Sequence, residues 1–470
     1  MPRSARDVNW SLLAATDVQA IHDTLARHHP GLLDAWNPAF AAWHQAGLTT
    51  ALDAARSVTS PAGYVFALRA YVAGFRDNHL NIGTRIRLPL KWPGFTVRWR
   101  DRRFLVCRPP NDADGYPPEG AELVECDGRP PAEVMAETIF PYGGTPDLEA
   151  SWIEWAPWLL IDRGNPWTRR PNTCAFAISG QRQRLALEWR RADPRDIATV
   201  VERAQFGPAP EFGVRTFAPD CVWISLPSFR PRDASDRAML QGVVRLAPNL
   251  RASRLLVFDV RGNRGGNSQW GEDILNALYG PNYVQWRAHA TGLDDAYVEW
   301  RVSAENVRYL RWLLRQLRRE WPPDSPAVRR VQAVIAAMRA CQKAGLALCP
   351  YREPAEDIPY SDHLLANPVT ARVVLLTDGR CGSACLDFAD LLFAMGDVVH
   401  AGTATEADSV YGDVRTILLP SRRARLTFAM KVHRSRPRGH NMPYVPQLRW
   451  TGEISDTPAI ERWLVSQLAV

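Results

Sequence analysis

The chain has 470 residues, of which 46% are hydrophobic, and a formal net charge of +7. This length and apolar content allow more than one hydrophobic core and predict two to four domains. The arginines are spread along the whole chain instead of forming a basic tail, so nucleic-acid binding is not expected. No run of 18 apolar residues occurs, so no membrane span is expected, and the first twenty residues show no signal-peptide pattern.

The eight cysteines are irregularly spaced and form no paired C-x-x-C motif. A zinc site is therefore not predicted, and the sequence indicates no cofactor. Cys341 and Cys349 flank a short connection. They form either a disulfide, if the protein is exported, or two buried thiols, and the sequence does not decide between these alternatives.

The first three segments differ in their amino-acid composition and in the spacing of their apolar residues. Residues 1–87 are predicted to be a helical N-terminal region, because DVQAIHDTLARHH and PAGYVFALRAYVAGF have apolar residues at helical spacing. Residues 88–145 contain short alternating runs between prolines and glycines, which predicts a β-rich module. Residues 146–215 are rich in tryptophan, contain one strand-like run, QRLALEWR, and are treated as a mixed connecting region.

Residues 216–470 alternate apolar runs with amphipathic segments. The runs VWISLPSF, RLLVFDV and ARVVLL, each followed by a helical pattern, predict a sheet whose strands are joined by crossover helices. An insertion at about 285–365 contains two amphipathic helices, ENVRYLRWLLRQLRRE and AVRRVQAVIAAMRAC. It is interpreted as a lid over a site or as a surface elaboration.

The stretch TDGRCGSACLDFAD, residues 377–390, places Ser383 in a tight turn between a strand and a helix. A serine there lies at the positive end of the helix dipole, among N–H groups that lack an intrahelical partner and can receive an oxyanion. The alternative interpretation is a helix N-cap. A thiol nucleophile at Cys381 or Cys385 is a weaker alternative.

A second loop, RGNRGGN at residues 261–267, follows the strand RLLVFDV. Its adjacent glycines let the backbone approach a ligand closely and turn N–H groups toward it. Ligands of open α/β sheets bind at such strand ends. By itself the loop also fits a flexible turn, but together with the Ser383 turn it indicates a site.

These two loops, with VVHAGTATEADSVYGDV after them, resemble the core of the tail-specific, C-terminal-processing serine peptidases (peptidase family S41). GAELVECDG is similar to part of the PDZ-like domain of that family, and FRDNHL is similar to the Asp-x-His segment before it. The resemblance extends from about residue 70 to the C-terminus. It implies a ClpP/crotonase-like β-α core with a helical N-terminal region, a PDZ-like module and a helical insertion.

The resemblance also carries expectations about site, partners and location. It implies a peptide or protein substrate and favours a periplasmic or secreted location, with a cytoplasmic one left open; the oligomeric state is not indicated. Ser383 falls on the nucleophile of the family. The other matched positions are the oxyanion-hole amides of Gly265 or Gly266 and Ala384, and the loop supports Arg261 and Asn263.

The general base departs from the best-known branch of the family, which uses a lysine about 25 positions after the serine. Asp408 stands there, and of the three lysines only Lys431 is a nearby substitute. An aspartate cannot replace a neutral lysine as the base for a hydroxyl. The tricorn-like and retinoid-binding-protein-like branches instead have a histidine that His79 matches, and an imidazole can accept and return the proton.

The histidine then needs an orienting carboxylate. We choose Asp408, with Glu406 and Asp77 as further candidates. His440 is expected to cap its own loop; alternatively, it contacts a substrate carboxylate together with Arg438.

The sequence therefore predicts a serine peptidase that forms an acyl-enzyme on Ser383 with His79 as general base. Two alternatives remain at this point: a catalytically inactive binding protein of the same fold, and an esterase with the same triad.

Overall fold

The computed structural model describes residues 8–112, 114–352 and 365–468. These residues form helices and four β-sheets, so the predicted mixed α/β fold is confirmed. Within the described ranges, none of the helices has both the length and the apolar character needed to cross a membrane.

The α-helices are α1 (Trp10–His28), α2 (Pro38–Arg56), α3 (Pro61–Ala73), α4 (Pro131–Thr138), α5 (Glu149–Trp155), α6 (Pro194–Ala204), α7 (Ala234–Leu246), α8 (Gln269–Tyr279), α9 (Pro281–Ala290), α10 (Ala304–Glu320), α11 (Pro326–Lys343), α12 (Ala384–Ala394) and α13 (Thr457–Leu468). Short 3₁₀ helices occupy Pro30–Leu33, Pro110–Asp112, Phe140–Tyr142, Ala156–Leu160, Ala247–Leu250 and Leu293–Asp295.

The strands are β1 (Asn81–Thr84), β2 (Lys91–Trp92), β3 (Thr96–Arg100), β4 (Arg103–Cys107), β5 (Glu122–Cys126), β6 (Thr173–Ile178), β7 (Gln181–Ala186), β8 (Arg190–Arg191), β9 (Gly213–Ala218), β10 (Cys221–Ser225), β11 (Leu255–Asp259), β12 (Tyr297–Arg301), β13 (Leu348–Tyr351), β14 (Arg372–Thr377), β15 (Val398–Gly402), β16 (Tyr411–Leu418), β17 (Ala424–Arg434) and β18 (Leu448–Arg449).

The central sheet has the strand order β18-β15-β14-β11-β10-β9, with only the edge strand β9 antiparallel to its neighbour. All five residues of β11 are buried, as expected for a parallel strand that is covered on both faces. Leu255 and Val257 belong to one hydrophobic core, whereas Leu256 and Phe258 belong to another. The alternation of side chains along the strand thus separates two cores.

The register of the central sheet brings the two predicted loops together. Asp259, the last residue of β11, pairs with Leu376 near the end of β14. Because parallel strands end at the same edge, the loops that follow β11 and β14 lie side by side.

A second sheet joins the two ends of the chain. The long strand β17 pairs antiparallel with β16, with β12 of the insertion and with β1, where Asn81 lies opposite Thr427. Helices α1 to α3 pack against this sheet in a common core. The helical N-terminal region is therefore fastened to the C-terminal part of the chain.

The insertion contains the two predicted helices, α10 and α11, which pack against each other. Its strands β12 and β13 add to the second sheet. A disulfide joins Cys341 to Cys349, so the first of the two alternatives for these cysteines holds. Part of the predicted insertion, at 353–364, lies outside the described residues.

The β-rich module is an antiparallel sheet in the order β3-β4-β5-β6-β7. Strands β6 and β7 come from the stretch that the sequence left as a mixed connecting region. Three tryptophans of that stretch, Trp152, Trp155 and Trp158, pack against the module's core, and Trp152 stacks on Trp99 with ring centroids 4.8 Å apart.

Candidate active site

Ser383 lies at the tip of the turn between β14 and α12. Its backbone has φ 54° and ψ −126°, a conformation that costs a non-glycine residue about 1–3 kcal/mol. Its side chain makes no capping hydrogen bond to the helix, so the N-cap interpretation does not account for it. A serine on a strained strand-turn-helix tip is the arrangement that presents a hydroxyl nucleophile.

The turn is held from several sides. Asp378 accepts the backbone N–H of Gly262 at 3.1 Å, which joins the two loops directly. The N–H of Gly382 donates to the carbonyl of Asn263 at 3.2 Å. A buried disulfide between Cys381 and Cys385 closes a small ring with Ser383 at its centre. Neither cysteine is therefore a free thiol, and the thiol-nucleophile alternative is excluded in this structure.

Gly265 is the point of closest approach between the two loops. A Cβ atom there would lie 2.7 Å from the Cβ of Ser383 and 2.8 Å from the nitrogen of Ala384, and its φ is +86°. Its N–H is already used, because it donates to Oδ1 of Asn263 at 2.9 Å. Among the described residues, the N–H groups of Gly266 and Ala384 have no hydrogen-bond partner. Of the predicted donors, these two are free to receive an oxyanion.

Arg261 and Asn263 hold the glycine loop in place. The side-chain amide of Asn263 donates to the carbonyl of Leu226 at 2.8 Å. Arg261 is 2% exposed and pairs with Asp259 at 2.6 Å. Burial alone would lower the pKa of Arg261, but the charge of Asp259 and its hydrogen bonds raise it above the usual value. Both side chains thus support the loop shape from behind.

His79 lies in the turn between α3 and β1, and Asp77 fixes that turn. The carboxylate of Asp77 accepts the backbone N–H of His79 at 3.0 Å, the hydroxyl of Ser409 at 2.6 Å and Nε2 of His29 at 3.2 Å. Burial would raise the pKa of Asp77, but the hydrogen bond and charge of His29, the charge of His79 and the Ser409 hydroxyl hold it below the usual value. Asp77 positions the backbone of His79.

Asn78 connects the His79 turn to the Ser383 turn. Its side-chain nitrogen donates to Glu406 at 3.2 Å and to Oδ1 of Asp408 at 3.4 Å. The same Oδ1 accepts the backbone N–H of Ser383 at 3.1 Å. The segments of the predicted nucleophile and the predicted base therefore meet at one carboxylate oxygen. Asn78 was not among the predicted site residues. The only feature of the sequence that could have indicated its role is its position next to His79.

The predicted hydrogen bond between Asp408 and His79 is not present. The oxygens of Asp408 instead accept from Ser383 and Asn78, and one lies 3.5 Å from Arg438. The Nδ1 atom of His79 is buried and has no hydrogen-bond partner within the described part of the chain. In this structure Asp408 holds the backbone of Ser383 and does not orient the imidazole.

Glu406 lies against the serine turn. A Cβ atom on Gly382 would be 2.5 Å from its Oε2. Burial raises the pKa of Glu406 to about 7, with further contributions from the negative charges of Asp408 and Glu154. The charge of Arg264 and the hydrogen bond from Asn78 oppose this shift. A carboxyl group whose pKa is raised toward neutrality therefore lies beside the turn that carries the predicted nucleophile.

Arg438 is occupied by carboxylates. It contacts Asp390 at 2.8 Å, Asp387 at 2.9 Å and Asp408 at 3.5 Å, so the alternative in which it contacts a substrate carboxylate does not fit this arrangement. His440 accepts the backbone N–H of Val410 at 3.3 Å, and burial lowers its pKa.

Lys431 lies in β17 and forms an ion pair with Asp413 at 2.6 Å. Its ammonium group also lies 5.5 Å from the ring centroid of Trp300. These contacts place Lys431 in an ion pair of the second sheet.

A cleft of about 340 Å³ opens beside the serine turn. Its lining comes from α3 with the turn that carries Asp77 and Asn78, from the start of β1, from the stretch 142–155, and from three separate loops at Arg264, Gly379 and Glu406. Since Glu406 lies against Gly382, the cleft reaches the turn that holds Ser383.

The central sheet, the glycine loop and the serine turn define an α/β fold with a serine site at the carboxyl edge of a parallel sheet. Mature CPAF aligns over 98% of this chain and 98% of its own, with 14% sequence identity and a TM-score of 0.65. Mature CPAF complexed with lactacystin aligns over 98% and 99%, also with 14% identity and a TM-score of 0.65. The resemblance to tail-specific peptidases is thereby confirmed as a likeness of fold.

The photosystem II D1 C-terminal processing protease also matches, over 96% of this chain and 95% of its own, with 12% identity and a TM-score of 0.32. No protein-family model and no curated protein matches the sequence.

Proposed function

We propose that the protein is a serine peptidase that cleaves its substrate through an acyl-enzyme on Ser383. The observation that supports this proposal most is the strained serine turn, where Ser383 packs against Gly265 and where the N–H groups of Gly266 and Ala384 have no hydrogen-bond partner among the described residues. Preorganised N–H donors of this kind stabilise the charge that develops on the carbonyl oxygen.

In the proposed reaction, the Oγ of Ser383 attacks the peptide carbonyl while His79 accepts the hydroxyl proton. His79 returns that proton to the leaving amine, and a water molecule then hydrolyses the ester. Asp77 positions His79 and Asp408 positions Ser383, each through a backbone N–H. Catalytic hydrogen bonds often tighten only when substrate binds, which fits an imidazole whose Nδ1 has no partner among the described residues.

The β-rich module is proposed to be the PDZ-like domain of the resemblance. Its five-stranded antiparallel sheet and its place in the chain, directly after the His79 segment, support this assignment.

The nucleophile is tested by Ser383→Ala. We expect peptide hydrolysis to fall by about 10³-fold or more and labelling by a serine-directed phosphonate to disappear, with a nearly unchanged melting temperature. Ser57→Ala, at an exposed position after α2, is the matched control and should retain both signals. Unchanged hydrolysis in Ser383→Ala would remove the claim, and wild-type protein without hydrolysis or labelling would favour the inactive binding protein.

The base is tested by His79→Ala. Activity should fall by at least about 10²-fold, and added imidazole should restore part of it because the missing group is a proton carrier. His289→Ala, on α9, serves as the control. An active His79→Ala variant would assign the proton transfer to another group.

A further inference from the structure

Two arginines beside the cleft, Arg69 and Arg163, have no carboxylate partner among the residues that the structure describes. Four other arginines pair with a carboxylate within 3 Å, namely Arg261, Arg380, Arg434 and Arg438, whereas the buried Arg415 donates to the amide oxygen of Asn306 and forms no ion pair among the described residues. Burying a charge without a partner costs several kcal/mol, so proteins rarely leave such a group unpaired. Arg69 differs from Arg415 because it lines the cleft, where a ligand can reach it.

Arg69 is the member of the pair that lines the cleft. It lies on α3, and its Nη1 atom is buried with no hydrogen-bond partner. Its guanidinium carbon is 5.8 Å from the ring centroid of Phe66. Burial lowers the pKa of Arg69, which means that the surroundings do not compensate its charge.

Arg163 lies behind the aromatic wall of the cleft. Its guanidinium carbon is 4.5 Å from the ring centroid of Trp158 and 5.2 Å from that of Phe66. It is 5.9 Å from the ring centroid of Trp155, which itself lines the cleft. Burial, and next the charge of Arg69, lower the pKa of Arg163 to about 9. Two like charges are therefore held close together at one place.

The acidic groups that line the cleft are engaged elsewhere. Glu154 pairs with Arg264 at 3.2 Å, and Glu406 accepts from Asn78 at 3.2 Å. The carboxylate of Asp77 is saturated by the contacts that position His79. None of the described acids that line the cleft pairs with Arg69, so its guanidinium is available to a negative charge on a bound molecule.

We propose that Arg69 binds a carboxylate of the peptide substrate and that Arg163 strengthens this site from behind the aromatic wall. The inference rests on the proposed function, because a carboxylate is the anion that an unmodified peptide carries. An arginine fork matches a carboxylate with two parallel hydrogen bonds. The carboxylate belongs either to the C-terminus of the peptide or to an aspartate or glutamate side chain.

The test uses the full chain with Ser383→Ala, so that binding is measured without cleavage. Three dansylated decapeptides of alanine and serine are compared by fluorescence anisotropy: one with a free C-terminal carboxylate, one amidated, and one amidated with a single central glutamate. We expect at least one of the two anionic peptides to bind about tenfold or more tightly than the neutral peptide. The anionic peptide that binds tightly identifies the source of the carboxylate.

Arg69→Gln, added to Ser383→Ala, should abolish that preference and leave the affinity for the neutral peptide unchanged. The matched control is Arg76→Gln, which removes the same charge from a cleft arginine that lies 3.5 Å from Asp147. It should change the affinity for the anionic peptide less than threefold. Arg69→Gln should also keep or raise the melting temperature, because it removes a buried charge that has no partner.

Equal affinities for the three peptides, no measurable binding of any of them, or equal losses in the two arginine variants would overturn the inference. A lower melting temperature in Arg69→Gln would also overturn it, because that result assigns Arg69 a structural role. The two proposals fail separately. Ser383-dependent cleavage without charge preference refutes only the carboxylate site, whereas Arg69-dependent binding to a protein that cleaves nothing refutes only the peptidase.

Discussion

At the scale of single residues, Glu406 makes the protein sensitive to pH. Its pKa is raised to about 7 in the folded state, mainly by burial, and the ordinary value is 4.5. Between these values the folded protein binds a proton that the unfolded chain releases. Stability contributed by this group is therefore fully present below about pH 4.5 and is lost as the pH rises toward 7.

The corresponding prediction concerns Glu406→Gln. Between pH 4.5 and pH 8, the free energy of unfolding of the wild type should fall by on the order of 2 kcal/mol relative to that of the variant, because an amide releases no proton. Urea unfolding midpoints at both pH values provide the measurement. Glu188→Gln, at an exposed position of the β-rich module, should follow the wild-type curve. Parallel curves for wild type and Glu406→Gln would contradict the raised pKa.

Gly265 gives a second prediction at this scale. Gly265→Ala should lower kcat/KM by more than about 10²-fold, because its Cβ would displace Ser383 and Ala384. Gly280→Ala is a matched control, since Gly280 has a similar φ of +82° but nothing within 4 Å of a Cβ. The control should share the loss of stability from a positive φ and keep its activity. Equal activities in the two variants would show that close approach at Gly265 is irrelevant.

The tight turn at Ser383 could be predicted from the sequence, because small residues between an apolar strand and an apolar helix dictate such a turn. The hydrogen bonds of Asp408 could not. They depend on Asn78, which donates to Oδ1, and on Arg438, which lies 3.5 Å from Oδ2, and both come from other parts of the chain. Local patterns do not show which remote donors reach a carboxylate.

At the scale of elements, the ring closed by Cys381 and Cys385 restrains the serine turn between β14 and α12. The ring contains the strained backbone of Ser383, and a strained conformation persists only where the surrounding structure enforces it. The disulfide between Cys341 and Cys349 also closes a short ring, but it joins α11 to β13 in the insertion.

We predict that the double variant Cys381→Ala/Cys385→Ala loses at least about tenfold in kcat. Cys341→Ala/Cys349→Ala should lose stability by a comparable amount, about 2–3 kcal/mol, and keep kcat within about twofold. Initial rates and urea midpoints of the two double variants decide the matter. If both pairs leave kcat unchanged, the ring does not restrain the nucleophile.

The elements themselves were predictable to different degrees. The helices α10 and α11 follow from apolar residues at helical spacing. Strand β7 could not be assigned with its sheet, because its exposed residues give a largely polar sequence, QRQRLA. β6 pairs with β5, and β7 pairs with β6. Three tryptophans of the connecting stretch, Trp152, Trp155 and Trp158, pack against the core beside this sheet, which composition alone does not show.

At the scale of the whole molecule, the site is completed by contacts between remote parts of the chain. Asp77 and Ser409, which hold the His79 turn, are 332 residues apart. The pairing of β1 with β17 and the core between α1–α3 and the second sheet maintain that contact. The sequence predicted both segments, but periodicity carries no information on which distant strands pair.

Phe428 of β17 tests this connection. It is fully buried in the core shared with the N-terminal helices, and Phe428→Ala should cost about 3–5 kcal/mol and lower kcat by loosening the His79 segment. Phe176→Ala creates a similar cavity in the β-rich module. It should reduce stability by a similar amount and keep kcat within about twofold, measured where both variants are folded. Equal kcat losses would point to a general effect of destabilisation.

The pairing of β1 with β17 has a consequence for synthesis of the protein in the cell. A ribosome makes His79 early, but β17 emerges only after more than 330 further residues have been translated. Until then the proposed base has no sheet on which to dock beside the nucleophile. The proposed peptidase activity is therefore expected to arise only when synthesis of the chain is nearly complete.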